Sequence, residues 1–102
     1  MTRLFSALVV VVALFATSAS AQNLNRGYIA YNSGDYASAL KEWRPLAQRG
    51  STLAQYNLGR MYFNGQGVDQ DYTEAHKWFS LAAVQDYAPA QNSLGKNLQR
   101  RT

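Results

Sequence analysis

Apolar residues return every three or four positions along most of this chain, which is the period of an α-helix and not of a strand. Between about Thr52 and Phe63, Ala54, Leu58, Met61 and Tyr62 share one face, and Tyr56 and Phe63 carry the apolar surface further round the cylinder. A helix apolar over so much of its circumference is sandwiched between neighbours. Its polar remainder is a narrow stripe of Asn57, Arg60 and Asn64, spaced to point the same way. Gly59 falls on the buried side, where it costs about 1 kcal/mol of helix propensity. Its expected role is to let a neighbouring backbone approach closely. From about Asp71 to Val84 the pattern is more plainly amphipathic, with Tyr72, Ala75, Trp78, Phe79, Ala82 and Ala83 inward and Thr73, Glu74, Lys77 and Ser80 outward. Further helices are predicted from about Leu24 to Asn32, around Pro45, and from about Pro89 to Gln99. Pro45 removes the hydrogen bond to the Lys41 carbonyl and is expected to bend its helix.

The connectors carry turn residues. Asn64-Gly65-Gln66-Gly67-Val68-Asp69-Gln70 joins two helices, and Ser33-Gly34-Asp35 is its shorter counterpart in the first pair. No strand precedes the Gly-x-Gly, and the rest of a nucleotide fingerprint is missing, so it reads as a connector and not as a phosphate loop.

The chain also repeats itself. Tyr36-Ala37-Ser38-Ala39-Leu40-Lys41-Glu42-Trp43 superposes on Tyr72-Thr73-Glu74-Ala75-His76-Lys77-Trp78-Phe79, an offset of 36 residues, and the same offset carries Ala54-Gln55 onto Ala90-Gln91 and Leu58-Gly59 onto Leu94-Gly95. A period of this length, with small and aromatic residues in register, marks stacked helix pairs.

At the N-terminus Arg3 is followed by an apolar run from Leu4 to Ala16 and then by Thr17-Ser18-Ala19-Ser20-Ala21, the pattern of a secretory signal cleaved before Gln22. The run is short of the ~20 apolar residues that a membrane-spanning helix needs. The expected protein is therefore exported, periplasmic or secreted, and free of the membrane after cleavage. Loss of Arg3 takes the formal charge from +4 to +3, and the remaining basic residues are scattered, without the basic stripe that nucleic-acid binding requires. With no cysteine, an exported domain of this size has no disulfide and relies on packing. Seven Tyr and two Trp suit that need.

The residues Ala54-Gln55-Tyr56-Asn57-Leu58-Gly59-Arg60-Met61-Tyr62-Phe63-Asn64-Gly65-Gln66-Gly67-Val68, then Asp71-Tyr72, Ala75, Lys77-Trp78-Phe79 and Ala82-Ala83, closely resemble a Sel-one-like repeat, a relative of the tetratricopeptide repeat. Tyr31, Gly34-Asp35-Tyr36, Ala39-Leu40 and Trp43-Arg44-Pro45-Leu46-Ala47 look like a half-degenerate first pair. The resemblance implies an all-α fold, a short right-handed α-solenoid of antiparallel helix pairs, of a kind that serves as an adaptor or scaffold for other proteins. It divides the chain into a signal peptide (1–21), a degenerate pair (22–50), one repeat (51–86) and a capping half-repeat with tail (87–102). Asp86 stands where the family commonly has glycine. In the last helix Asn92, Asn97 and Gln99 replace the apolar residues of the preceding repeat, as a capping helix requires. Such an array is short of the ~3 repeats that make a comfortable solenoid, and self-association or a bound partner would add the missing burial.

Catalytic chemistry has little to work with. His76 is the one histidine and aligns with Leu40 at the edge of the buried face, which suits a partly packed structural role. Without cysteine, metal clusters and Cys-His nucleophiles are not expected. Asp35, Asp69, Asp71 and Glu74 gather near helix starts, where capping accounts for them. No catalytic residue, cofactor or metal site is assigned. The expected function is non-enzymatic protein–protein interaction in the bacterial cell envelope. The candidate surface is the stripe Asn57, Arg60 and Asn64, continued by Lys96, which aligns with Arg60. The alternative is a small exported hydrolase, or a peptidoglycan or small-ligand binder, akin to the cysteine-rich relatives of this repeat. The missing cysteines weaken that alternative.

Overall fold

A computed structural model describes the backbone of residues 20–101 and the side chains of residues 20–95. The expected signal peptide falls almost wholly outside the described residues. Five helices follow one another: α1 over residues 20–32, α2 Tyr36–Gln48, α3 Thr52–Asn64, α4 Tyr72–Ala83 and α5 Ala88–Arg101, with no strand among the described residues. The first helix thus reaches back past Leu24, where the periodicity placed its start. None of these helices is long and apolar enough to cross a membrane.

Local chemistry sets the boundaries. Asp35 caps α2, Ser51 caps α3 and Asp71 caps α4, the last accepting from the backbone N–H groups of Thr73 (3.0 Å) and Glu74 (3.1 Å). Gly65 ends α3 in the left-handed conformation at φ 68°, and Gly67 at φ 74° turns the connector so closely over α2 that a Cβ there would lie 2.9 Å from the Tyr36 Cβ. Between α4 and α5 the left-handed position is Asp86, at φ 63°, the residue the sequence singled out as standing where glycine is usual. Pro45 lies inside α2 on its exposed side.

The core is a ladder of rings on small residues. Trp43 of α2, 1% exposed, lies on Gly27 of α1, and a Cβ added to Gly27 would come within 2.1 Å of the indole nitrogen. Phe79 of α4, 2% exposed, lies in the same way on Gly59 of α3, where a Cβ would meet the ring at 2.5 Å. Gly59 was expected to admit a neighbouring backbone; what it admits is an aromatic ring. The physical reason is length, because a Phe ring fills the space between two helix axes that no direct backbone contact would bridge. Truncating a buried ring of this kind costs about 3–5 kcal/mol, a large part of the ~5–15 kcal/mol that stabilises an ordinary domain.

A polar joint accompanies the rings. Gln55, only 4% exposed, donates from Nε2 to the Ala47 carbonyl (3.2 Å) and accepts at Oε1 from Gln85 Nε2 (2.9 Å), which also reaches the Gly50 carbonyl (3.2 Å). One repeat later Gln91 donates to the Ala83 carbonyl (3.3 Å), the same bond shifted by the offset that relates Gln55 to Gln91. Each bond adds a second donor to a carbonyl at the end of the preceding helix that already accepts a turn N–H, from Gly50 at 3.1 Å and from Asp86 at 3.0 Å.

Three expectations follow. In Gly59→Ala the gain of about 1 kcal/mol in helix propensity is outweighed by overpacking of about 1–3 kcal/mol against a ring that is itself buried, so thermal denaturation should show a lower Tm. Nothing lies within 4 Å of a Cβ at the aligned Gly95, so Gly95→Ala should raise Tm. For Asp35, hydrogen bonds from Ser38, the hydroxyl first and then the backbone N–H at 3.2 Å, hold the carboxyl below its ordinary value of 3.8. A lowered folded-state value stabilises the fold above the unfolded value, and that contribution is lost as pH falls through the folded one. Asp35→Ala should therefore lower Tm at neutral pH, with the difference from the parent closing in acid below the ordinary carboxylate range.

Candidate functional site

Helix α3 lies between α2 and α4, and residues of α1 cover a third side. This geometry leaves it no free polar stripe. Asn57, expected on the solvated face, is only 3% exposed, and its Nδ2 is enclosed without a hydrogen-bond partner. The correction has a simple cause: Asn57 precedes Met61 by one helical turn and shares its buried side. Asn64 is exposed, as expected, and Arg60 is half-buried. The structure therefore keeps Arg60 and Asn64 together and removes Asn57 from the surface. Lys96 lies on α5, but its side chain is outside the described residues.

Arg60 and Asn64 line a groove of about 190 Å³ with Tyr56, Phe63, Phe79 and Ser93. Three helices contribute directly, α3 with four residues and α4 and α5 with one each. Phe79 enters because Gly59 gives its ring room, so the packing device of the core also builds the groove floor. The rings form a continuous set: Tyr56 to Phe79 at 5.7 Å, Phe63 to Phe79 at 6.4 Å and Phe63 to Tyr72 at 5.1 Å between centroids.

Arg60 is held on two rings. Its guanidinium carbon is 5.3 Å from the centroid of Tyr31 and 5.8 Å from that of Tyr56, and one terminal nitrogen donates to the Tyr31 hydroxyl at 3.2 Å. That hydroxyl in turn donates to Gln66 Oε1 of the α3–α4 connector at 2.9 Å, so its proton is committed. Tyr87, just before α5, meets Tyr56 edge to face at 5.2 Å. Burial pushes the Tyr87 phenol up from its ordinary value of 10.0, the nearby phenols of Tyr28 and then Tyr56 add to the rise, and the Arg60 guanidinium opposes it. Tyr28 of α1, Tyr56 of α3 and Arg60 thus all lie within electrostatic reach of the Tyr87 phenol. The periodicity gave no sign of Tyr28, Tyr31 or Tyr87 in this role. A weak signal existed in the spacing of Tyr56 and Arg60, one turn apart, which suits an aromatic–cation pair.

His76 is half-buried with its Nδ1 enclosed, the packed position expected of it. Among the described residues no group of His, Asp and Glu could hold a metal ion.

Antiparallel helices joined by glycine turns, with ring-on-glycine contacts that recur from pair to pair, define a helical-repeat protein. Residues 52–87 match the model of the Sel1 repeat, and the chain carries that repeat there. Over 69 residues it is 36% identical to an exopolysaccharide production negative regulator of Rhizobium leguminosarum bv. viciae and 35% identical to one of the same name from Rhizobium meliloti (strain 1021). Each match covers 68% of this chain and 26% of the relative, so the chain spans about a quarter of the length of these curated relatives. Sel1 repeats typically mediate protein–protein interaction.

The buried Asn57 yields a test. Replacing an orphaned buried donor by an apolar group of similar shape is neutral or stabilising, by about 1 kcal/mol. Asn57→Leu should therefore leave the urea midpoint unchanged or raise it, whereas a surface asparagine would give no such gain.

Proposed function

We propose that this chain is a non-enzymatic adaptor that binds another protein through the face carrying the Arg60 groove, after export to the bacterial cell envelope. The observation that carries the reading is the groove itself, an arginine seated among half-buried tyrosine and phenylalanine rings. Tyrosine and arginine are the residue types in which binding energy concentrates at protein interfaces, because they offer large rigid contact areas with a polar end. The export half of the reading is supported by the basic, apolar and small-residue order of 1–21. The matched relatives are named for negative regulation of exopolysaccharide production. This chain would exercise a regulatory role of that kind by binding and not by turnover.

A photo-cross-linking residue placed at Asn64, exposed and on the groove, should trap one defined protein in living cells. The same residue at Val84, 79% exposed and not among the groove residues, should not. Identical adducts from both positions, or none from Asn64, would remove the groove as the contact surface.

A further inference from the structure

We propose that the groove receives a carboxylate side chain, a glutamate or aspartate on an exposed segment of the protein partner, with Arg60 as its anchor. The proposal rests on reading this face as the contact surface of an interaction module, and it adds the chemistry that is recognised.

Arg60 is only partly engaged within the fold. A guanidinium presents five N–H donors in a planar fork. One is taken by the Tyr31 hydroxyl. The Tyr31 and Tyr56 rings hold the plane of the fork but accept no conventional hydrogen bond from it. Among the described residues no carboxylate pairs with Arg60; the ion pair found there joins Lys77 to Glu74 at 3.2 Å. A charged fork, half removed from water and lacking an acidic partner, is an uncommon arrangement for a group that seeks bidentate acceptors. Because the rings and the Tyr31–Gln66 tether already fix the side chain, the entropy usually lost when an arginine is immobilised on binding was lost on folding.

Charge, size and wall chemistry then select the occupant. The chain is formally +4, or +3 without residues 1–21, and the Tyr87 phenol, uncharged at neutral pH as an ordinary tyrosine is, brings no negative charge to this face. The groove, at about 190 Å³, is smaller than the ~300 Å³ at which small-molecule sites begin, yet it has room for one acidic side chain. Tyr56, Phe63 and Phe79 offer apolar walls to its methylene groups, and the Asn64 amide supplies a neutral donor beside the cation, while the Ser93 hydroxyl donates to the Pro89 carbonyl at 2.9 Å. A free anion would leave the aromatic walls unused. A side chain delivered by a peptide backbone uses both.

The test is a titration of the isotopically labelled full chain, followed by NMR at the Arg60 Nε–Hε and Asn64 side-chain amide signals. The probes are a capped peptide carrying one glutamate among neutral and aromatic residues, its glutamine counterpart, and a short uronic-acid oligosaccharide. The glutamate peptide should shift both signals saturably, and more weakly as salt is raised. Arg60→Gln should bind it at least about tenfold less well, equivalent to about 1.4 kcal/mol, with helical circular dichroism unchanged. If Arg60→Gln fails to fold, Arg60→Lys decides the matter: it keeps the charge but not the fork, and its binding should fall severalfold. Equal binding of the glutamine peptide, or undiminished binding by the Arg60 variants, overturns the proposal. Tighter binding of the uronate than of the peptide overturns the choice of a protein segment. Cross-linking from Asn64 that is equally efficient in Arg60→Gln would overturn the acidic anchor while leaving the adaptor reading intact.

Discussion

Everything in this fold depends on an aromatic ring seated on a bare Cα. Trp43 on Gly27 and Phe79 on Gly59 fill the space between the helices of a pair, at distances where any side chain on the glycine would collide. The arrangement couples two choices that a sequence normally makes separately, since the large residue is useful only where the small one is kept. It also explains how so short a chain manages without a disulfide. Two rings, each almost wholly removed from water, concentrate in a few positions the burial that larger domains spread over many.

The same device shapes the groove. Phe79 lies low enough on α3 to form part of the floor beneath Tyr56 and Phe63, and those rings line the groove in which Arg60 sits. Arg60 is therefore not a surface residue that happens to be charged. Its position is fixed by Tyr31 from one helix, Tyr56 from its own and the connector residue Gln66 through the Tyr31 hydroxyl. Stability and surface chemistry are built from one set of residues, which links the core of the repeat to what it presents outward.

Much of the architecture was legible in the sequence because its signals are local. Helical period, capping residues and glycine turns need only neighbouring positions, and Asp35, Asp71, Gly65 and Gly67 behave as their types dictate. Asp86 was visible as an oddity and is one, a non-glycine residue at positive φ. The site was only half legible. Arg60 and Asn64 come from one helix and could be found by spacing. Tyr31 and Tyr87 come from other elements, and their approach to Arg60 depends on how the helices stack, which periodicity does not report. Asn57 was misplaced for the same reason: a face is exposed or buried according to what lies against it, and a single helix pattern does not say how many neighbours there are.

The bond from Gln55 to the Ala47 carbonyl returns as Gln91 to the Ala83 carbonyl, made by the same residue types at the same places one unit on. A bond that returns at the same place one unit on behaves as an interchangeable part. Because the glutamine and the carbonyl it meets recur together at the 36-residue offset, duplication of a whole unit brings its own fitting with it. Chain length in proteins of this build can then change in whole units without a new solution to packing, while residues in the groove vary independently to suit what each must hold.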